Sequence, residues 1–150
     1  VKYPLRGTSL KLYKEGLDFV EDVYVCYRKW DLVKAYPSDV AGDMIYAESH
    51  LRTLSGGCAA ASVMEGAKGK SIVPEPDIAL GQALKRGVFP EVALTLEDAL
   101  RYLRRDTLAF PGEPKGYLLL TYRGIPLGFV KNIGNRSNNL WPQGWRIRNV

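Results

Sequence analysis

Gly116-Tyr117-Leu118-Leu119-Leu120-Thr121-Tyr122, then Arg123-Gly124, then Ile125-Pro126-Leu127-Gly128-Phe129-Val130-Lys131 is the stretch whose reading decides the fold. Two apolar and aromatic runs separated by a turn dipeptide predict a β-hairpin, with strands over 116–122 and 126–131 closed by Arg123-Gly124. Gly128 interrupts the second strand, and a glycine there predicts a bulge or the close approach of another backbone. Downstream, the polar run Asn132 to Asn139 predicts a loop and Trp145 to Arg148 a last returning strand.

Upstream of the hairpin the pattern changes period. Thr95-Leu96-Glu97-Asp98 has the form of a capping box, with Asp98 as a shorter substitute for Glu. Leu96, Ala99, Leu100 and Leu103 follow at i, i+3, i+4 and i+7, which predicts an amphipathic helix to about Arg105, with Arg101, Arg104 and Arg105 on its exposed side. A second helix is expected over Pro76 to Arg86, from Pro in its first turn, Asp77 at the positive end of the dipole and Gly87 just beyond. Further strands are expected at Val23–Tyr27, Leu32–Tyr36 and Ser71–Val73. Leu51–Leu54 and Ala59–Met64 read as a pair joined by Ser55-Gly56-Gly57, and Ser38 reads as the cap of a short helix to about Ser49. Strands in separated groups with helices between them predict an α+β, barrel-like domain in place of alternating βαβ units. Domain limits are expected at 1–50 for an N-terminal α/β appendage and 51–150 for the main domain.

Composition narrows the function. With 150 residues, 46% hydrophobic and 25% charged, the chain is long enough for a core and needs no disulfides. Ala59-Ala60-Ala61-Ser62-Val63-Met64, the longest weakly polar run, is far short of the roughly 18 residues a membrane span needs, so no membrane partner is expected. Two cysteines and one histidine offer no metal-ligand spacing, so no metal is expected, and a reducing cytoplasm is the simplest compartment. The chain begins at Val1, which is read as the start of a piece of a longer polypeptide.

The charge is unevenly placed. Residues 1–100 carry 12 Lys and Arg against 14 Asp and Glu, whereas residues 101–150 carry nine against two. From Arg123 onward there are Arg123, Lys131, Arg136, Arg146 and Arg148 with no acid, interleaved with Tyr122, Phe129, Trp141, Trp145 and several asparagines. Cations, planar rings and side-chain amides are what a phosphate backbone and unstacked bases require, although a basic solvated face over a packed core has the same composition.

Motifs for chemistry fail one by one. Gly69-Lys70-Ser71 resembles the end of a phosphate-binding loop, but Met64 stands where the first glycine belongs and Ile72-Val73-Pro74 follows in place of a helix. Asn135-Arg136-Ser137 fits a glycosylation acceptor and reads better as a polar loop. A single histidine, His50, supports no triad. Cys26 and Cys58 sit among small or apolar neighbours, and Glu21-Asp22 and Glu97-Asp98 are adjacent pairs that do not converge on one point.

Gly116 to Pro142 and the terminal Trp145-Arg146-Ile147-Arg148, taken together, resemble the C-terminal PUA-like RNA-binding domain of RsmF-type methyltransferases, of the NOL/NOP/Sun group that makes 5-methylcytosine in ribosomal RNA. Lys68-Gly69-Lys70-Ser71-Ile72-Val73-Pro74, Ala79-Leu80 and Ala99-Leu100-Arg101-Tyr102-Leu103-Arg104 are similar to that region in the same order. The resemblance implies a PUA-like small mixed β-barrel with two main helices. Its function would be to position folded rRNA for a separate catalytic domain. Lys131, Arg136, Arg146 and Arg148 would neutralise phosphates, and Asn132, Asn138 and Asn139 would reach base edges or 2′-hydroxyls. Trp145 or Trp141 would stack on a base, and Arg123 would share one rim with the 131–139 loop.

The family's S-adenosylmethionine pocket and its cysteine-bearing catalytic motifs have no counterpart in Val25-Cys26-Tyr27 or Gly57-Cys58-Ala59. The implied cofactor and chemistry therefore belong to a parent methyltransferase, whose own catalytic domain would be a partner. Glu75-Pro76-Asp77 also departs from the family's Ser-His, and Trp141 replaces a more usual Tyr. The competing reading is a protein-interaction or intramolecular docking domain without RNA contact, which predicts an exposed apolar patch and little dependence on salt.

Overall fold

The computed structural model describes residues 10–149, which fall into two compact units, the first ending at Lys85 and the second beginning at Arg86. The expected limit at 50/51 lies inside the first unit, because one sheet runs through it. Strands β1 (Lys11–Leu12), β2 (Tyr24–Lys29), β3 (Leu32–Pro37), β4 (Cys58–Gly66) and β5 (Gly69–Pro74) form a single antiparallel meander in that order. Its register pairs Cys26 with Ala35 and Ala35 with Cys58. Helix α1 (Ala41–His50) lies against β3 and the five-residue α2 (Pro76–Leu80) against β4. The alanines of β4 permit that approach: Ala60 and Ala61 are fully buried, as are Val33, Ala35 and Ile78.

Several sequence expectations change here. Leu51–Leu54 is not a strand, since β4 already pairs on both edges with β3 and β5, and Leu51 and Leu54 are exposed. Ser38 does not cap α1; its N–H donates to Val23 O and the helix begins three residues later, with Val40 at the N-cap. The helix expected from Pro76 to Arg86 stops at Leu80. Beyond it Ala83 O accepts from Glu21 N and Leu84 bridges Val20, so the chain leaves the helix to satisfy another segment's backbone. Gly69-Lys70-Ser71 opens β5 in a hairpin with β4, which agrees with its rejection as a phosphate loop.

The second unit is a four-stranded sheet of β6 (Glu91–Ala93), β7 (Gly116–Tyr122), β8 (Ile125–Asn132) and β9 (Ser137–Asn139), crossed by α3 (Leu96–Leu103). The β7–β8 hairpin is as read, with Arg123 and Gly124 at φ of 50° and 77°, the geometry of a primed turn. β6 pairs parallel to β7, so β6–α3–β7 is a βαβ unit that the sequence reading missed. No closed barrel is seen among the described residues: β6 and β9 are three-residue edges of an open sheet, and β9's outer side is taken by Ser137 N donating to Leu108 O. The fold class is α+β. The strand expected at Trp145–Arg148 is instead a 3-10 turn, Gln143–Trp145, followed by Ile147, whose N–H donates to Leu103 O at the end of α3.

One sheet face and α3 enclose the core: Leu118, Leu120 and Val130 meet Leu94, Ala99, Tyr102 and Leu108. Thr95 Oγ1 accepts from Asp98 N at 3.2 Å, half of the capping box; the Asp98 carboxylate turns to Arg101 instead of reaching back. Gly128 is the other expected special position, and both readings of it hold in modified form. The ladder shifts register between Leu120 and Thr121, and a Cβ at Gly128 would collide with the Tyr102 hydroxyl, a side chain in place of the expected backbone.

Candidate nucleic-acid interface

The register of the second sheet sorts the polar residues. Tyr117, Lys131 and Asn138 are directly opposite one another on β7, β8 and β9, so their side chains leave the same face, away from Leu118, Val130 and Asn139. Lys131 is exposed, with its Nζ 5.7 Å from the Tyr117 ring centroid, and partial burial raises the Tyr117 pKa. This is a row of phenol, ammonium and amide across three strands.

Alongside β9 a shallow cleft of about 280 Å³ is lined by Arg105, Thr107, Arg136, Ser137, Asn138 and Asn139. Arg136 and Asn138 are exposed. Arg105 is held in place, its Nη1 on Gln143 Oε1 at 2.5 Å and its Nη2 on Asn139 O at 3.2 Å. Asn138 thus joins the sheet row to the cleft, and Lys131, Asn138, Arg136 and Arg105 form one continuous polar surface.

The other asparagines point inward. Asn132 is 1% exposed; its Nδ2 donates to Phe110 O, Glu113 O and Pro114 O at 3.0–3.1 Å, and its Oδ1 accepts from Gly134 N. Asn139 Nδ2 donates to Tyr102 O, which also accepts from Arg105 N, and to Asp106 O just beyond α3, while its Oδ1 accepts from Trp141 N. Both amides are spent on the fold, so neither is free to reach a base edge.

Arg123 lies at the opposite end of the β7–β8 hairpin from Lys131, about 20 Å away at the usual rise per strand residue. Its guanidinium rests 5.5 Å from the Tyr122 ring, and Arg86, bidentate to Glu91 at 2.6 and 2.9 Å, also donates to Gly124 O in the same turn. The single rim expected to hold Arg123 with the 131–139 loop is not formed. Arg146 and Arg148 are exposed on either side of Ile147, at the C-terminal end of α3. Trp145 is 44% exposed and stands edge-on to Trp141, ring centroids 5.3 Å apart, with its carbonyl accepting from Trp141 Nε1. Among the described residues, none of Arg123, Lys131, Arg136, Arg146 and Arg148 is in an ion pair.

Tyr117, Thr107 and Arg105 belong to this surface and were not anticipated as site residues. Only the strand register reveals Tyr117, and Arg105 read simply as a solvated helix charge. Among the described residues no group of three or more His, Cys, Asp or Glu could hold a metal ion, and no helix is long and apolar enough to cross a membrane.

An open α+β sheet with an unpaired basic face is the kind of surface that meets polyanions. Residues 89–147 match the family model of the methyltransferase RsmF PUA domain, and this stretch is a PUA-like region of the RsmF type. The match begins at Phe89, so the similarity read at Lys68–Pro74 and Ala79-Leu80 lies outside it. No curated protein matches the chain.

Proposed function

We propose that this chain is an RNA-binding module which holds folded ribosomal RNA, in the cytoplasm, for a separate S-adenosylmethionine-dependent cytosine-5 methyltransferase domain. The observation that carries the reading is the coincidence of the RsmF PUA match with cations that form no ion pair among the described residues. In this reading Lys131, Arg136, Arg105, Arg146 and Arg148 would meet phosphates, and Asn138 with Tyr117 a base or ribose. Thr107 adds a hydroxyl at the cleft. The module contributes affinity and orientation; the cofactor and the reacting cysteines belong to the other domain. Titration of the chain with structured rRNA fragments tests this. Affinity should fall steeply as salt rises, and should fall again when Lys131, Arg136 and Arg146 are together changed to Ala. Unaltered binding by that triple variant would remove the surface.

A further inference from the structure

Trp30 stands where folding alone would not put a tryptophan. It occupies the first position of the two-residue turn between β2 and β3, at a φ of 55°, a backbone region in which primed hairpin turns call for Gly or Asn. A bulky side chain there is strained, and burial does not offset the strain: Trp30 is 78% exposed, more than any other described aromatic residue. The turn is nevertheless firmly held. Trp30 O accepts from Arg28 Nε at 2.6 Å and Asp31 O accepts from Val63 N at 2.7 Å, so both turn carbonyls are tied to the sheet. Lys29 Nζ sits 5.1 Å from the indole centroid. The result is an exposed ring carried on a tethered turn with a cation beside it, flanked in the chain by Arg28, Lys29 and Asp31.

We infer that the β2–β3 turn is a second RNA contact, in which Trp30 stacks on an unpaired nucleobase while Lys29 stands near the adjoining phosphate. A π-face joined to a cation recognises any base without regard to sequence, and a turn already tied to the sheet loses little backbone freedom on binding. This inference rests on the RNA-binding reading and extends it to residues 1–85, which the PUA match does not cover.

Trp30→Gly provides the test, because Gly relieves the backbone while removing the ring. With the full chain and a structured rRNA fragment bearing a single-stranded loop, affinity should drop roughly 5- to 150-fold, the usual range for losing one base–aromatic stack. The melting temperature should hold or rise, and the dependence of affinity on salt should keep its slope, since no phosphate contact is deleted. Trp30→Phe should retain most of the affinity, and closing the loop into duplex should abolish the difference between Trp30→Gly and the parent. If Trp30→Gly binds like the parent while Lys131→Ala and Arg136→Ala bind more weakly, the inference is overturned and the RNA-binding reading survives; an indole that serves a protein or a membrane gives this result. A lower melting temperature for Trp30→Gly also overturns it, by showing that the ring holds the fold together. A parent chain that binds no RNA fragment overturns both.

Discussion

Replacing Asn132 with Ala should damage the fold and spare RNA binding. The Asn132 side chain, buried at 1% exposure, supplies two amide hydrogens to three loop carbonyls, Phe110 O, Glu113 O and Pro114 O, and takes one N–H from Gly134. With one hydrogen shared, that amounts to about three hydrogen bonds, each worth roughly 0.5–1.5 kcal/mol net, and truncation strands the partners in a partly dry site. A loss of about 2–4 kcal/mol follows, which for a chain of this length corresponds to a melting temperature lower by roughly 4–16 °C. Asn132→Asp keeps the shape but turns a second acceptor toward three carbonyls, so it should cost at least as much. Thermal unfolding followed by circular dichroism measures the loss. A fluorescence-anisotropy titration with an rRNA fragment, well below the lowered transition, should then give an affinity within about twofold of the parent. A variant that melts with the parent and binds RNA tenfold more weakly would show that the asparagine faces the ligand, and would refute the structural account.

Three further outcomes follow from other contacts. Gly128→Ala should destabilise by about 1–3 kcal/mol through collision with the Tyr102 hydroxyl, and should cost less in a Tyr102→Phe background; purely additive losses in a double-mutant cycle of melts would rule out the contact. Burial pushes the Cys26 thiol up from 9.0 to about 11, with the neighbouring Cys58 adding to the shift. Because the folded state holds this proton more tightly than the unfolded chain, stability from the thiol is complete below pH 9 and is lost as pH rises through about 11. Cys26→Ala should therefore lose less stability than the parent between those limits in urea melts, and identical slopes would contradict this. Lys131→Ala and Arg136→Ala should each reduce the slope of log affinity against log salt by about one, whereas a slope unchanged in both would mean neither meets a phosphate.

The parts of the fold that were legible were those in which local chemistry decides. The Arg123-Gly124 turn, the Thr95 cap and the special place of Gly128 each follow from a residue type whose backbone or steric needs are the same in any context. What escaped depended on partners distant in sequence. Glu91-Val92-Ala93 is too short to announce a strand and becomes one only by pairing with Leu119-Leu120-Thr121. Leu51–Leu54 has the composition of a strand but found both edges of β4 filled. The basic character of the C-terminal third was evident, yet the PUA-like resemblance put Arg123 on the same rim as Lys131, and only the hairpin register separates them.

That register also decides which asparagines can serve recognition. On β9, Ser137 and Asn139 face α3 and Asn138 faces outward, because neighbours on a strand alternate. Ser137 Oγ accordingly donates to Leu108 O, and Asn139 donates to Tyr102 O and Asp106 O. On β8 the same alternation sends Asn132 into the 110–114 loop and leaves Lys131 beside Tyr117. The inward amides are more than bystanders. Asn139 fastens the end of α3 to β9 and Asn132 fastens the 110–114 loop to β8, so together they fix the backbone on which Lys131, Asn138 and Arg136 stand. Two asparagines that look like base readers in the sequence thus build the platform for the residues proposed to face the RNA. Affinity measured without stability would confuse the two roles, because a collapsed platform and a lost contact both weaken binding.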